Sequence, residues 1–165
     1  MAIKVIDDFL YKKDHEDIYH VLMGERFPWF FSNRVVDPPE VEGKLIDNFQ
    51  FYHSMFDEYR QKSDFYELVK PLIYTINPKA LIRIKANLIP RHNEIITHGY
   101  HNDTGFDNVT AVYYLNTNNG YTKFENGEKI ESIANRIVFF DSSIKHSGTT
   151  CTDQQTRVAI NLNFF

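Results

Sequence analysis

The stretch that most constrains this chain is its last, "TRVAINLNFF", residues 156–165. Read with a period of two, Val158, Ile160, Leu162 and Phe164 fall on one side, and Arg157, Ala159, Asn161 and Asn163 on the other. The first row needs a packed layer to cover it, here expected from the N-terminal half of the chain. The second row needs a polar, enclosed space. A strand with one dry and one wet face fits a barrel or sandwich whose interior holds a small polar ligand.

The same period governs everything from Ala80 onward. "LIRIKANL" alternates Ile82, Ile84, Ala86 and Leu88 with Arg83, Lys85 and Asn87. "NVTAVYYLN" is β-branched and aromatic, and the turn-like "NTNNGY" follows it. "KFENGEKIESI" carries Asn126-Gly127, a strong hairpin signal, and "RIVFFDSS" reads as a buried strand. Seven or eight short strands separated by turns predict a sandwich or barrel.

Residues 1 to about 80 read as mainly helical. Asp14 is the expected cap of a helix through "HEDIYHVLMGE" that ends near Gly24. "RFPWFFSNRVVDPPEVEG" reads as loop, because Pro28, Pro38 and Pro39 interrupt regular structure and Pro38 holds Asp37 extended. A second helix is expected over "DNFQFYHSMFDEYRQK". A third is expected over "SDFYELVKPLIYTIN", capped by Ser63 and bent or divided at Pro71. No repeat or long linker divides the chain, so residues 1–165 are expected to form a single domain, with 1–80 as support and 81–165 as the core.

Composition narrows the classes. With 42% hydrophobic and 15% aromatic residues the chain is globular rather than disordered. A net charge of −4 and no Lys/Arg-rich tract give no strong nucleic-acid signal. Cys151 is the only cysteine, which excludes an internal disulfide and a multi-cysteine zinc site. The opening "MAIKVIDDFLYKKDHEDIY" has no apolar core of a secretory signal, and no run is long enough to span a membrane. The expectation is a soluble, cytoplasmic protein.

Within this frame "GYHNDTG" stands out. Residues two apart on a strand share a face, so His101 and Asp103 can converge on one point. An imidazole and a carboxylate are two legs of a 2-His-1-carboxylate metal site, which needs a second histidine. His146, in "DSSIKHSG" just after "RIVFF", is the candidate. His15, His20 and His53 lie in the helical half, and His92 sits in the loop "PRHNE". His98, three residues before His101, should face away from it. Arg157, on the wet face eleven residues after His146, could grip a dicarboxylate with two parallel hydrogen bonds. Lys85 is the alternative anchor.

The order "HND" … "KHSG" … "TRVAINL", with "VTAVYYLN" and "NGYTKF" between, resembles the Fe(II)/2-oxoglutarate-dependent dioxygenases, and within them the prolyl-4-hydroxylase-like branch. The resemblance covers residues 81–165 and implies a double-stranded β-helix (jelly-roll, cupin-like) core with helices packed on its larger sheet. Carried over, it makes His101, Asp103 and His146 the iron ligands and catalytic centre, and Arg157 the partner of the 2-oxoglutarate 5-carboxylate. It implies Fe(II), 2-oxoglutarate and O₂ as cofactor and co-substrates, with ascorbate as a further candidate. The implied reaction is decarboxylation of 2-oxoglutarate to succinate and CO₂, coupled to hydroxylation of a C–H bond in a small molecule, a peptide or a protein residue.

Two departures from the family pattern matter. Prolyl hydroxylases commonly carry Lys where this chain has Arg157. Many Arg-type members carry a hydroxyl residue two positions later, where this chain has Ala159, so Asn87, Tyr113 and Thr122 are the candidates for a second donor. Family halogenases lack the carboxylate, so Asp103 favours hydroxylation. The rival classes are a cupin-like metal protein without 2-oxoglutarate chemistry, which has no use for Arg157, and a silent jelly-roll binding module, which predicts a broken triad. "IPRHNEIITHGY" and "RFPWFFSNR" are lid candidates, the second weighed against simple packing of Trp29.

Overall fold

The computed structural model describes residues 2–36 and 47–165. The period-two segments all form strands: β5 (Leu81–Pro90), β6 (Val109–Tyr114), β7 (Tyr121–Phe124), β8 (Lys129–Glu131), β9 (Arg136–Asp141), β10 (His146–Gly148) and β11 (Thr156–Phe164). They join the N-terminal strands β1 (Lys4–Ile6), β2 (Phe30–Ser32), β3 (Gln50–Asp57) and β4 (Arg60–Gln61). An eight-stranded antiparallel sheet runs β1-β9-β6-β11-β5-β3-β2, with β4 paired to β3. A smaller sheet, β10-β7-β8, faces it. The result is the expected jelly roll.

Each face of the large sheet has its own core. On the outer face, Val158, Ile160 and Leu162 of β11 and Ile84 and Ala86 of β5 share a cluster with Leu10, just before the first helix, and Ile18, Leu22, Val69 and Leu72 from the helical elements. Between the two sheets, Val112, Tyr114, Phe124, Ile130, Val138, Phe140 and Ala159 form a second, smaller core. The polar cavity lies beside this inner core.

The hairpin from β7 to β8 turns at Gly127, whose φ of +89° is the left-handed geometry that glycine accepts without strain. Its ends close through Phe124 N to Glu128 O and Gly127 N to Phe124 O, each 2.9 Å.

The N-terminal half departs from the sequence reading in three places. Helix α1 (Lys12–Leu22) begins with Tyr11 at the cap position and no side-chain cap bond, so Asp14 lies in its first turn instead of capping it. Phe30–Ser32, expected as loop, is the edge strand β2, paired to β3. The largest departure is at residues 50–61, expected to be helical, which form β3 and β4. Their aromatic residues suit a pleated surface, and pairing of Phe51–Phe56 with β5 decides the outcome. The β3–β4 turn uses Glu58 and Tyr59 at φ 50° and 59°, the pattern of a two-residue primed hairpin, without the Asn-Gly signal that would reveal it.

The third expected helix is present in two pieces: a 3₁₀ segment at Asp64–Val69 and helix α2 (Lys70–Ile76), with Pro71 in its first turn. Ser63 accepts from Phe65 N at 3.2 Å, as a cap should. The expected geometry at Asp37, Pro38 and Pro39 lies outside the described residues. Among the described residues no helix is long and apolar enough to cross a membrane.

Candidate active site

The wet faces of β5 and β11 form a ladder of facing pairs: Arg157 opposite Ile89, Ala159 opposite Asn87, Asn161 opposite Lys85, and Asn163 opposite Arg83. All of these residues but Asn163 line one wall of a cavity of about 170 Å³. The opposite wall comes from the smaller sheet and the segment beside it, with His101, Asn102, Asp103, Thr122, His146 and Gly148.

His101 and His146 meet as a backbone pair, each N–H donating to the other's carbonyl at 3.0 and 3.1 Å. The segment around His101 is an isolated bridge rather than a regular strand. Even so, His101, Asp103 and His146 each offer a ligand atom, all within 4.8 Å of one another. His101 Nε2 stands 3.9 Å from Asp103 Oδ1, and His146 Nε2 3.8 Å from Asp103 Oδ2.

The second contacts of these residues suit a metal. His101 Nδ1 lies 3.2 Å from the Gly99 carbonyl; donating to it leaves the Nε2 lone pair free. Burial pushes the His146 imidazole down to about 4, against the opposing pull of Asp103, so the ring is held neutral, the ligating form. Burial also works against the Asp103 charge; a protonated His146 would oppose it, and with that ring neutral the Arg83 guanidinium bonded to the carboxyl is the standing cation that holds it below its usual range. Arg83 Nη2 binds Asp103 Oδ1 at 2.8 Å and Arg83 Nε donates to Asn163 Oδ1 at 3.1 Å. Among the described residues, Asp103 Oδ2 is buried with no hydrogen-bond partner. A buried carboxylate with one oxygen lacking a donor, beside two imidazoles, is a donor set that fits Fe(II).

Arg157 is only 5% exposed and has no carboxylate within ion-pair distance among the described residues. It donates from Nε to Ser132 Oγ at 2.8 Å and from Nη2 to Thr122 Oγ1 at 3.2 Å, and its guanidinium lies 5.6 Å from the Tyr114 ring centre. Its remaining donors face the cavity side, where Gly148 presents no side chain: a Cβ there would meet Nη1 at 3.4 Å. Gly120 is required more strictly, since a Cβ would stand 2.7 Å from both Arg157 Cδ and the Thr150 carbonyl oxygen. A buried guanidinium without an acid is costly unless an anion joins it. The site therefore fits a dicarboxylate co-substrate, and Lys85 is not needed as the anchor.

The sequence pattern of the 2OG-Fe(II) oxygenase superfamily matches residues 81–165, the stretch that carries every one of these groups. The chain belongs to this family. It is an Fe(II)- and 2-oxoglutarate-dependent oxygenase. No curated protein is significantly similar in sequence.

Solved structures share the fold. A Trichoplax adhaerens prolyl hydroxylase in complex with a hypoxia inducible factor peptide aligns over 99% of this chain and 83% of its own, with a TM-score of 0.69 and 16% identity. A Pseudomonas putida prolyl-4-hydroxylase aligns over 99% of this chain and 91% of its own, with a TM-score of 0.59 and 14% identity. A non-heme alpha ketoglutarate dependent epimerase from nogalamycin biosynthesis aligns over 99% and 77%, with a TM-score of 0.65 and 12% identity.

Of the three expected second donors, two lie in the oxygenase cavity and one does not. Thr122 lines it and receives Arg157. Asn87 lines it, and its Oδ1 is buried without a partner. Tyr113 belongs to the outer core, where its hydroxyl bonds His15 Nδ1 at 2.6 Å and Asn135 Oδ1 at 2.9 Å. The tyrosine beside Arg157 is Tyr114, opposite Ala159 in register, whose hydroxyl donates to Thr122 Oγ1 at 2.8 Å. Both sides of "VTAVYYLN" are largely apolar, so its phase is set by pairing with its neighbours β11 and β9.

Ser132, Gly120 and Arg83 were also missed as site groups. Arg83 alone carried a signal, its place on the wet face of β5. His98 does not line the cavity, but it is buried nearby; burial, then the charges of Arg157 and His101, push it to about 4. The lid candidates are anchored. Trp29 Nε1 donates to the Leu22 carbonyl at 3.3 Å, and Ile96 and His98 are tied to Thr150 and Gly148.

Proposed function

We propose that His101, Asp103 and His146 hold the iron and that Arg157, steadied by Ser132, Thr122 and Tyr114, receives the distal carboxylate of 2-oxoglutarate. One observation carries this reading: a buried arginine without an acid opens on the same cavity as two imidazoles and a carboxylate. Iron with 2-oxoglutarate and O₂ supplies the oxidising power to convert a C–H bond into C–OH, with release of succinate and CO₂. The chain's own residues do the rest. His101 and His146 present ring nitrogens, Arg83 keeps Asp103 ionised and aimed, and the inner core around Phe124 and Phe140 keeps bulk water from one side of the site.

The substrate is a small molecule or a residue of a peptide or protein. The Trichoplax prolyl hydroxylase of the same fold is in complex with a peptide fragment, which supports the peptide or protein reading. A cupin-like metal protein would leave Arg157 without purpose. The lone, buried Cys151 suits a reducing compartment, in keeping with a cytoplasmic enzyme.

Anaerobic addition of Fe(II) and then 2-oxoglutarate tests the assignment. A weak visible charge-transfer band, which requires the keto acid to chelate iron at open positions, is the expected result. Iron bound without the band would refute the role given to Arg157, and no iron bound would refute the triad.

A further inference from the structure

Among the described residues, the oxygenase cavity holds more positive charge than iron and 2-oxoglutarate require. Of those residues its lining contains three cations, Arg83, Lys85 and Arg157, against one carboxylate, Asp103. Iron(II) and 2-oxoglutarate bring equal and opposite charges, so loading the site leaves that surplus in place. Two of the cations have assigned work: Arg157 lies deep with Ser132 and Thr122, and Arg83 is bound to Asp103 at 2.8 Å. Lys85 has none. Its Nζ lies 5.0 Å from the centre of the Tyr52 ring, and no carboxylate comes within ion-pair distance of it among the described residues.

Resting on the reading above, we infer that the substrate carries an anionic oxygen group, a carboxylate or a phosphate, that Lys85 receives. The ladder separates this grip from the co-substrate's. Lys85 faces Asn161, four residues along β11 from Arg157, which is about 13 Å of strand. The two side chains are rooted that far apart on the cavity wall, so each can meet an anion of its own.

Lys85 is also fixed rather than loose. It is half-buried on the wet face of β5, and the Tyr52 ring covers one side of its ammonium while the other donors stay available. Burial, then the Arg83 charge, weaken its hold on the proton, while Asp103 and Asp57 act the other way; an arriving anion would relieve that strain on the charge. A neutral or cationic substrate would instead desolvate the ammonium with nothing in return. On the next rung, Asn87 Oδ1 is buried without a partner, an acceptor for an N–H or O–H of the same substrate.

The test uses the whole protein with isotope-labelled lysines, loaded with Zn(II) in place of iron and then with 2-oxoglutarate. Acetate, inorganic phosphate and the neutral control acetamide are added in turn, and the Lys85 side-chain signal is followed by NMR, assigned through Lys85→Arg. The expected result is little change at Lys85 on adding 2-oxoglutarate, a saturable shift with acetate or phosphate, and none with acetamide. Whichever of the two anions saturates at lower concentration names the group.

Lys85→Met should weaken that anion by roughly tenfold or more, the loss expected for one charge-assisted contact. A Lys85 shift on adding 2-oxoglutarate itself would make it a co-substrate anchor and overturn the inference. So would silence towards both anions. Zinc content and 2-oxoglutarate retained after loading are measured separately: the absence of either would sink the assignment under the preceding heading, while the anion titration still reads Lys85 by itself.

Discussion

The two faces of β5 and β11 share a backbone and differ in everything else. On the outer face Ile84, Ala86, Val158, Ile160 and Leu162 are fully buried against helices. On the inner face the same strands offer Arg83, Lys85, Asn87, Arg157 and Asn161 to a cavity. The outer face gains free energy by excluding water from apolar area; the inner one spends some of it by holding cations away from water. Stability and function are thus divided residue by residue along one strand, and adjacent positions should respond to mutation in opposite currencies.

The largest effect should come from the inner face. His146→Ala or Asp103→Ala should weaken iron retention by more than the roughly 100-fold that changes outside the ligand set cost. Metal content after anaerobic loading measures it, and retention equal to wild type in both variants would remove the ligand assignment. On the outer face, Ile160→Ala should lose about 2–5 kcal/mol of unfolding free energy in urea. Its neighbour Asn161→Ala should stay within about 0.5 kcal/mol. Similar losses for the two would mean that the faces are not energetically distinct.

Arg157→Ala should raise the 2-oxoglutarate requirement by roughly 30-fold or more, since it removes one partner of a buried charge pair. Titration of the iron-loaded protein with 2-oxoglutarate reads this directly, and an unchanged requirement would point to another anchor. The finest cut is between sequence neighbours. Tyr114→Phe should weaken 2-oxoglutarate by several-fold, about 1 kcal/mol, through loss of its bond to Thr122. Tyr113→Phe should leave 2-oxoglutarate binding alone and cost about 1 kcal/mol of stability, because His15 and Asn135 lose a partner. The reverse pattern would put β6 in the wrong phase.

How much of this was legible in the sequence depended on whether a residue's setting was local. The phase of "TRVAINLNFF" and "LIRIKANL" could be read directly, because one face is polar and the other is not. His101, Asp103 and His146 could be singled out by spacing and order, and the structure brings them together. Residues 50–61 misled because aromatic residues are compatible with either period, and the pairing of β3 with β5 is remote in sequence. Tyr113 was named as a candidate second donor, and the structure places Tyr114, its neighbour, beside Arg157 instead, for the same reason.

By itself, then, the sequence determined the alternating strands, the hairpin at Gly127 and the types of residue that could bind a metal and a dicarboxylate, since periodicity and turn chemistry act over a few residues. Tertiary structure alone decided which tyrosine meets Arg157, that Ser132 and Gly120 shape its berth, that Arg83 is committed to Asp103, and that Lys85 is left over. Those are matters of register between strands far apart in the chain, and register is set by how whole faces pack, not by any one segment.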